Sequence, residues 1–253
     1  MLTEKELGPF MTIVPLLGLC ICSVGVIYTR KCPLLASTIA IWYLLVMMVA
    51  RTNPFHEANS LEWSENKIDD AAGVSLIIAG MMIPLVALYL LFTKSHSVRS
   101  FVLQEVHIYH YHQFHIFRIA GMSFLYLYLT GVSQSYATLH GGICDVVIAM
   151  TAIPLSQYIK TRHDGLGEYR GIVMIWNFFG LVVDFCTTLI LFTGNFLGYF
   201  QPQYSLAIFL QNPISTIILF NVPLTAAIHV LIMIKFDDII KMGSAEERRK
   251  ILG

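Results

Sequence analysis

The chain has 253 residues, 56% hydrophobic and 13% charged, with a mean hydropathy of +0.68 and a formal net charge of zero. Soluble domains carry about 25% charged residues, so the composition excludes an ordinary soluble domain and points to an integral membrane protein. The zero net charge removes any bulk attraction for nucleic acid, and five cysteines with no CxxC indicate neither a disulfide framework nor a zinc site.

The N-terminal MLTEKELGPF lacks the cationic start and small-residue cleavage site of a signal peptide, so the first apolar stretch is expected to be retained. A membrane span needs roughly 20 mostly apolar residues. Seven stretches qualify: 9–29, 33–50, 71–93, 116–134, 142–160, 171–193 and 206–235. Pro213 and Pro223 give the last of these a means to bend, and Pro15, Pro84 and Pro154 sit inside other spans.

Loop charge sets the orientation. Arg30, Lys31, Lys94, Arg99, Arg118, Lys160, Arg162, Arg170, Lys235, Lys241, Arg248, Arg249 and Lys250 fall on one side, and only Lys5, Arg51 and Lys67 on the other. The positive-inside rule then puts the N-terminus outside and the C-terminus in the cytoplasm, as seven spans also require. The fold class expected is all-α: a polytopic bundle of seven transmembrane helices in a single membrane domain. Residues 9–93 form an apolar three-helix part, 94–115 a cytoplasmic interfacial segment, 116–235 a polar four-helix part and 236–253 a basic tail. The outer loop from Arg51 to Asp70 is acidic and reads as solvated. Ser244 and Glu247 have capping-box spacing for a short helix in the tail.

Polar residues inside spans carry the functional signal, because burying them in lipid is costly. Spans four to seven hold Asp145, Asn177, Asp184, Asn221 and His229, with Arg118 at a helix entrance. Helical spacing gathers them into faces: Asn177, Gly180, Asp184 and Thr188 in span six, and Asn221, Thr225 and His229 in span seven. Ser123, Tyr126, Thr130 and Ser133 do the same in span four, and Asp145, Ala149, Ala152 and Ser156 in span five. The four faces are expected to point at one another.

At a rise of about 1.5 Å per residue, Asp184 and Asn221 lie near the bilayer middle. Asn177, His229 and Arg118 lie toward the cytoplasm, and Asp145 and His140 near the outer surface. Such a ladder suits a proton or a small polar ligand, with Asp184 and His229 as the titrating pair. The alternative is a set of interhelical hydrogen bonds that holds the bundle together.

HIYHYHQFH, residues 107–115, holds four of the nine histidines. His107 and His110 are three apart, as are His112 and His115, and on a helix the two pairs point in different directions. That geometry does not gather four ligands. The run reads as a partly protonated interfacial band, with a metal site on His107, His110, His112 and His115 as the minority reading. HExxH, GxSxG and Walker A motifs are missing. Span seven has no lysine in its middle to carry retinal, so no retinal is expected, and no other cofactor is implied.

Gln113 with Phe117-Arg118, Gly142 and Asp145, Pro154, Trp176-Asn177, Gly180, and Pro223 with His229 follow one another in a recognisable order. Over residues 113–234 this pattern resembles a family of uncharacterised bacterial multi-spanning membrane proteins. The resemblance brings no activity with it. It falls on the same residues that the polar faces select.

Three functions follow as expectations. The first is proton-linked transport or binding of a small solute at Arg118, Asp145, Asn177, Asp184, Asn221, Thr225 and His229. The second is a membrane-embedded metal-dependent enzyme using the histidine run. The third is a receptor or assembly subunit without chemistry. The partners expected are the lipid bilayer and a small polar solute or proton, the location the plasma membrane.

Overall fold

The computed structural model describes residues 4–52, 67–133, 135–161, 166–196 and 214–241. Most of the acidic outer loop, the tail with Ser244 and Glu247, and Pro213 lie outside the described residues. The described chain is almost entirely helical and contains no strand. Its principal helices are α1 (Glu4–Thr29), α2 (Pro33–Thr52), α3 (Lys67–Lys94), α4 (His96–Ser100), α5 (Ile108–Phe114), α6 (Met122–Leu129), α7 (Tyr136–Thr161), α8 (Leu166–Phe178), α9 (Thr187–Phe196) and α10 (Val222–Lys241).

Five helical segments among the described residues are long and apolar enough to cross a membrane: Pro33–Arg51, Ile77–Lys94, Tyr136–Thr161, Arg170–Gly194 and Ile214–Phe236. Large apolar side chains cover their outsides, with Ile175 73% and Met150 68% exposed, as a lipid-facing surface requires. A shorter apolar helix covers Ile13–Thr29.

The expected fourth span, 116–134, is not one long α-helix. Residues His115–Gly121 form a 3-10 helix, and α6 adds eight residues before Gly131, at φ 75°, turns the chain. Ser133 N–H then folds back onto the Leu127 carbonyl at 3.0 Å. From α5 to α6 the chain runs antiparallel to α7. Lys160 Nζ lies 5.5 Å from the Tyr109 ring centre, Gly121 abuts Asp145, and Gly142 abuts Leu125.

The 94–115 segment is folded into the bundle to a greater extent than an interfacial band would be. Phe101, Val102, Leu103, Ile108, Tyr111, His112 and His115 are all buried. Ser95 Oγ caps α4 by accepting from Val98 N–H at 3.4 Å. A π-helical turn, Phe101–Glu105, follows. Lys235, counted among the cytoplasmic loop charges, is buried instead, and its ammonium donates to the Val106 carbonyl beside the Tyr111 ring.

Two more π-helical turns interrupt the long segments, at Phe179–Cys186 between α8 and α9 and at Ile217–Asn221 ahead of α10. The second has a local cause. Pro223 has no N–H to give the Leu219 carbonyl one turn back, and Trp42 Nε1–H reaches across from α2 to donate to it at 3.1 Å. Pro84 and Pro154 sit inside helices that continue through them.

Candidate functional site

Arg118 sits in the 3-10 helix and is 3% exposed. Its Nε donates to Asp145 Oδ1 on α7 at 2.5 Å, its Nη2 donates to Asp184 Oδ2 on the Phe179–Cys186 π-turn, and its Nη1 lies 3.1 Å from His229 Nε2 on α10. One guanidinium thus ties together the three polar elements that pack around it. A guanidinium fork has only donors, so His229 Nε2 is the acceptor and the ring is neutral. Its Nδ1–H then donates to Asn177 Oδ1 at 2.9 Å, and Asn177 Nδ2 donates to the Val173 carbonyl at 2.7 Å.

The cluster is closely fitted. A Cβ on Gly180 would run into the His229 ring, and one on Gly121 into the Asp145 side chain. Asp145, Asp184 and Asn177 are 6%, 2% and 0% exposed. The sequence-derived ladder is therefore corrected. Arg118 and Asp145 are in contact rather than near opposite surfaces, because the 3-10 helix enters the bundle and carries the guanidinium to the level of Asp145.

The remaining predicted residues are divided. The span-six face holds together, with Asn177, Gly180 and Asp184 all at the cluster and Thr188 Oγ1 3.5 Å from Asp184 Oδ1. Asn221 is buried, donates weakly to the Phe117 carbonyl at 3.5 Å, and leaves its Oδ1 without a partner. Thr225 is buried too, but its hydroxyl donates to the Val222 carbonyl of its own helix. The span-four face does not line the cluster: Tyr126 is 40% exposed, and Ser123 and Thr130 bond backward to Ala120 and Tyr126.

The histidine run splits as its spacing predicts. His107 and His110 are half-buried on one side, and His110 Nδ1 lies 3.1 Å from Gln113 Oε1. Burial holds His110 below the ordinary imidazole range, with the Gln113 hydrogen bond opposing. His112 and His115 are fully buried and face Trp176, with ring centres 5.2 and 5.0 Å from it. They are not a protonated surface band. Burial lowers the pKa of His112 to about 4, against a hydrogen bond to the Ile108 carbonyl that raises it. The His115 ring lies 4.0 Å, centre to centre, from the His229 ring at a tilt of 33°, and neither of its ring nitrogens has a partner.

Among the described residues, the three groups placed to hold a metal together are not in that run. They are His140, Cys144 and Asp184. Sequence reasoning placed His140 near Asp145 but passed over Cys144 as a membrane thiol, and the available signal was their i, i+4 spacing. It also missed Trp176 as a wall for three imidazoles.

A separate cavity of about 580 Å³ is lined mostly by apolar side chains, Phe117 and Ile228 among them, with Tyr28, His110 and Gln113 among its few polar ones. Comparison with protein-family profiles, with curated proteins and with solved structures yields no match to this chain.

Proposed function

We propose that this chain is an integral membrane protein of seven spans, N-terminus outside, in the plasma membrane. Its Arg118 cluster binds a cation, and it moves a small solute in a cation-linked, in the simplest case proton-linked, cycle. The observation that carries the reading is the charge of the cluster. One guanidinium faces two carboxylates, and His229 is held neutral by its hydrogen bonds.

A site of that composition is one positive charge short, and a net charge buried away from water is costly. A cation or a proton at the carboxylates removes the deficit. Asp145 and Asp184 are the cation-binding groups, His229 and Asn177 orient Arg118, and Asn221 offers the nearby unpartnered acceptor. Two π-helical turns contribute to the site, at Asp184 and at Asn221, and π-bulges recur at functional positions.

The test is dissipation of an imposed pH gradient in liposomes carrying the protein. The parent is expected to speed dissipation over empty liposomes, and Asp184→Asn and His229→Ala to lose that effect. Variants that behave like the parent sink the reading.

A further inference from the structure

Between α7 and the segment that runs from the Phe179–Cys186 π-turn into α9, three side chains of different chemistry converge. His140 and Cys144 are one turn apart on α7, so they project from the same face. Asp184 faces them from the π-turn. One donor atom from each lies within 4.8 Å of the other two. Cys144 Sγ is 3.8 Å from His140 Nε2 and 4.0 Å from its Nδ1. Nitrogen and sulfur ligands of a tetrahedral zinc-type ion, at roughly 2.1 and 2.3 Å from it, stand about 3.6 Å apart. The nitrogen–sulfur pair already stands near that separation, with the carboxylate oxygen within 4.8 Å of both.

The imidazole is already oriented. His140 Nδ1 lies 3.1 Å from Thr188 Oγ1, and Thr188 Oγ1 in turn lies 3.5 Å from Asp184 Oδ1. With Nδ1–H donating to the hydroxyl and the hydroxyl donating to the carboxylate, Nε2 is left with a free lone pair to coordinate an ion. That is the outer-shell arrangement that fixes the tautomer of metal-ligating histidines. Arg118 holds Asp184 Oδ2 and so fixes the carboxylate.

Charge closes as well. The Arg118 cluster carries one net negative charge, a Cys144 thiolate makes two, and a single divalent cation cancels both. We propose that His140, Cys144 and Asp184 bind a divalent transition-metal ion of the zinc or cobalt type. The nitrogen, sulfur and carboxylate set selects against magnesium and calcium, which take oxygen ligands. Three protein ligands leave a coordination position open, unlike the four-ligand sites that only brace a fold. Half-buried His140 gives the ion a way in, whereas Cys144 and Asp184 are buried.

This deepens the cation-linked reading by naming the class of cation, and it rests on that reading for what the ion does, but not for whether it binds. The experiment is titration of the purified full chain in detergent with Co²⁺ alone, followed by optical absorption and elemental analysis. One Co²⁺ per chain is expected, with a thiolate-to-cobalt charge-transfer band in the near ultraviolet. Cys144→Ser should abolish the band, and His140→Ala should weaken binding at least tenfold. His140 is half-buried, which keeps that variant informative if Cys144→Ser fails to fold. Cys22→Ser and Cys32→Ser should leave both band and stoichiometry unchanged.

Absence of stoichiometric cobalt, or a band that survives Cys144→Ser, overturns the metal site. If the metal fails while Asp184→Asn still abolishes the pH-gradient effect, the cation-linked site stands and its cation is not a transition metal. If cobalt binds as described while the parent does not move the pH gradient, the metal site stands and proton-linked transport falls.

Discussion

Gly180 is the seat of the His229 ring: a Cβ at position 180 would overlap the imidazole atoms. The ring in turn holds Arg118 and Asn177 at its two nitrogens. A methyl group at position 180 therefore acts on three other residues, His229, Arg118 and Asn177. Gly180→Ala is expected to destabilise the protein by about 1–3 kcal/mol, the usual cost of overpacking. It should also impair gradient dissipation. Gly171, with nothing within 4 Å of its Cβ position, is the control. Gly171→Ala should be neutral or slightly stabilising, since alanine is favoured over glycine in helices by about 1 kcal/mol. Thermal unfolding of the two variants in detergent compares them directly.

Removal of Arg118 leaves two buried carboxylates facing each other with nothing between them. Arg118→Met should cost about 3–5 kcal/mol, the range for breaking a buried ion pair on one side only. Adding Asp145→Asn and Asp184→Asn to the same chain should recover part of that loss. Denaturation midpoints of the single and triple variants check it. If the triple variant is no more stable than Arg118→Met, unpaired charge is not the cause.

Trp42 and Pro223 meet at the Leu219 carbonyl. Trp42→Phe strips a buried carbonyl of its donor and is expected to cost about 1–3 kcal/mol. In a Pro223→Ala background an N–H returns one turn along, so the cost of Trp42→Phe should shrink. A double-mutant cycle measures the coupling, and strictly additive losses would contradict the assignment.

His112 gives a pH dependence of known sign. Its pKa is about 4 in the fold, against about 6.5 in the unfolded chain. Between those values the unfolded chain binds the extra proton, so stability rises with pH. The contribution is complete above pH 6.5, is lost as pH falls toward 4, and changes no further below. The groups around the ring are the Ile108 carbonyl, Trp176 and the imidazoles of His115 and His229, and these two imidazoles are the ones that can titrate with it. His112→Phe should flatten the stability profile across this window in detergent unfolding.

The helical membrane-type fold was legible in the sequence because lipid makes its signal strong: long apolar runs. The span-six face was legible in full, since Asn177, Gly180, Asp184 and Thr188 keep one helical face even through a π-turn. Depth was not. An α-helical rise from the membrane surface keeps Arg118 far from Asp145, but the 3-10 helix at His115–Gly121 follows a buried α5, so the two meet directly. The histidine run was read correctly as two diverging pairs. The burial of the second pair depends on Trp176, which is distant in sequence. Thr225 had the right spacing but satisfies itself on its own backbone.

The most direct test of the central claim, that the Arg118 cluster takes up a positive charge, is transient current on a solid-supported membrane after a pH jump. The protein-loaded membrane is predicted to give a transient current that Asp184→Asn removes and Thr225→Val leaves intact. An Asp184→Asn current equal to the parent's, or a parent current no larger than that of protein-free membrane, would contradict it.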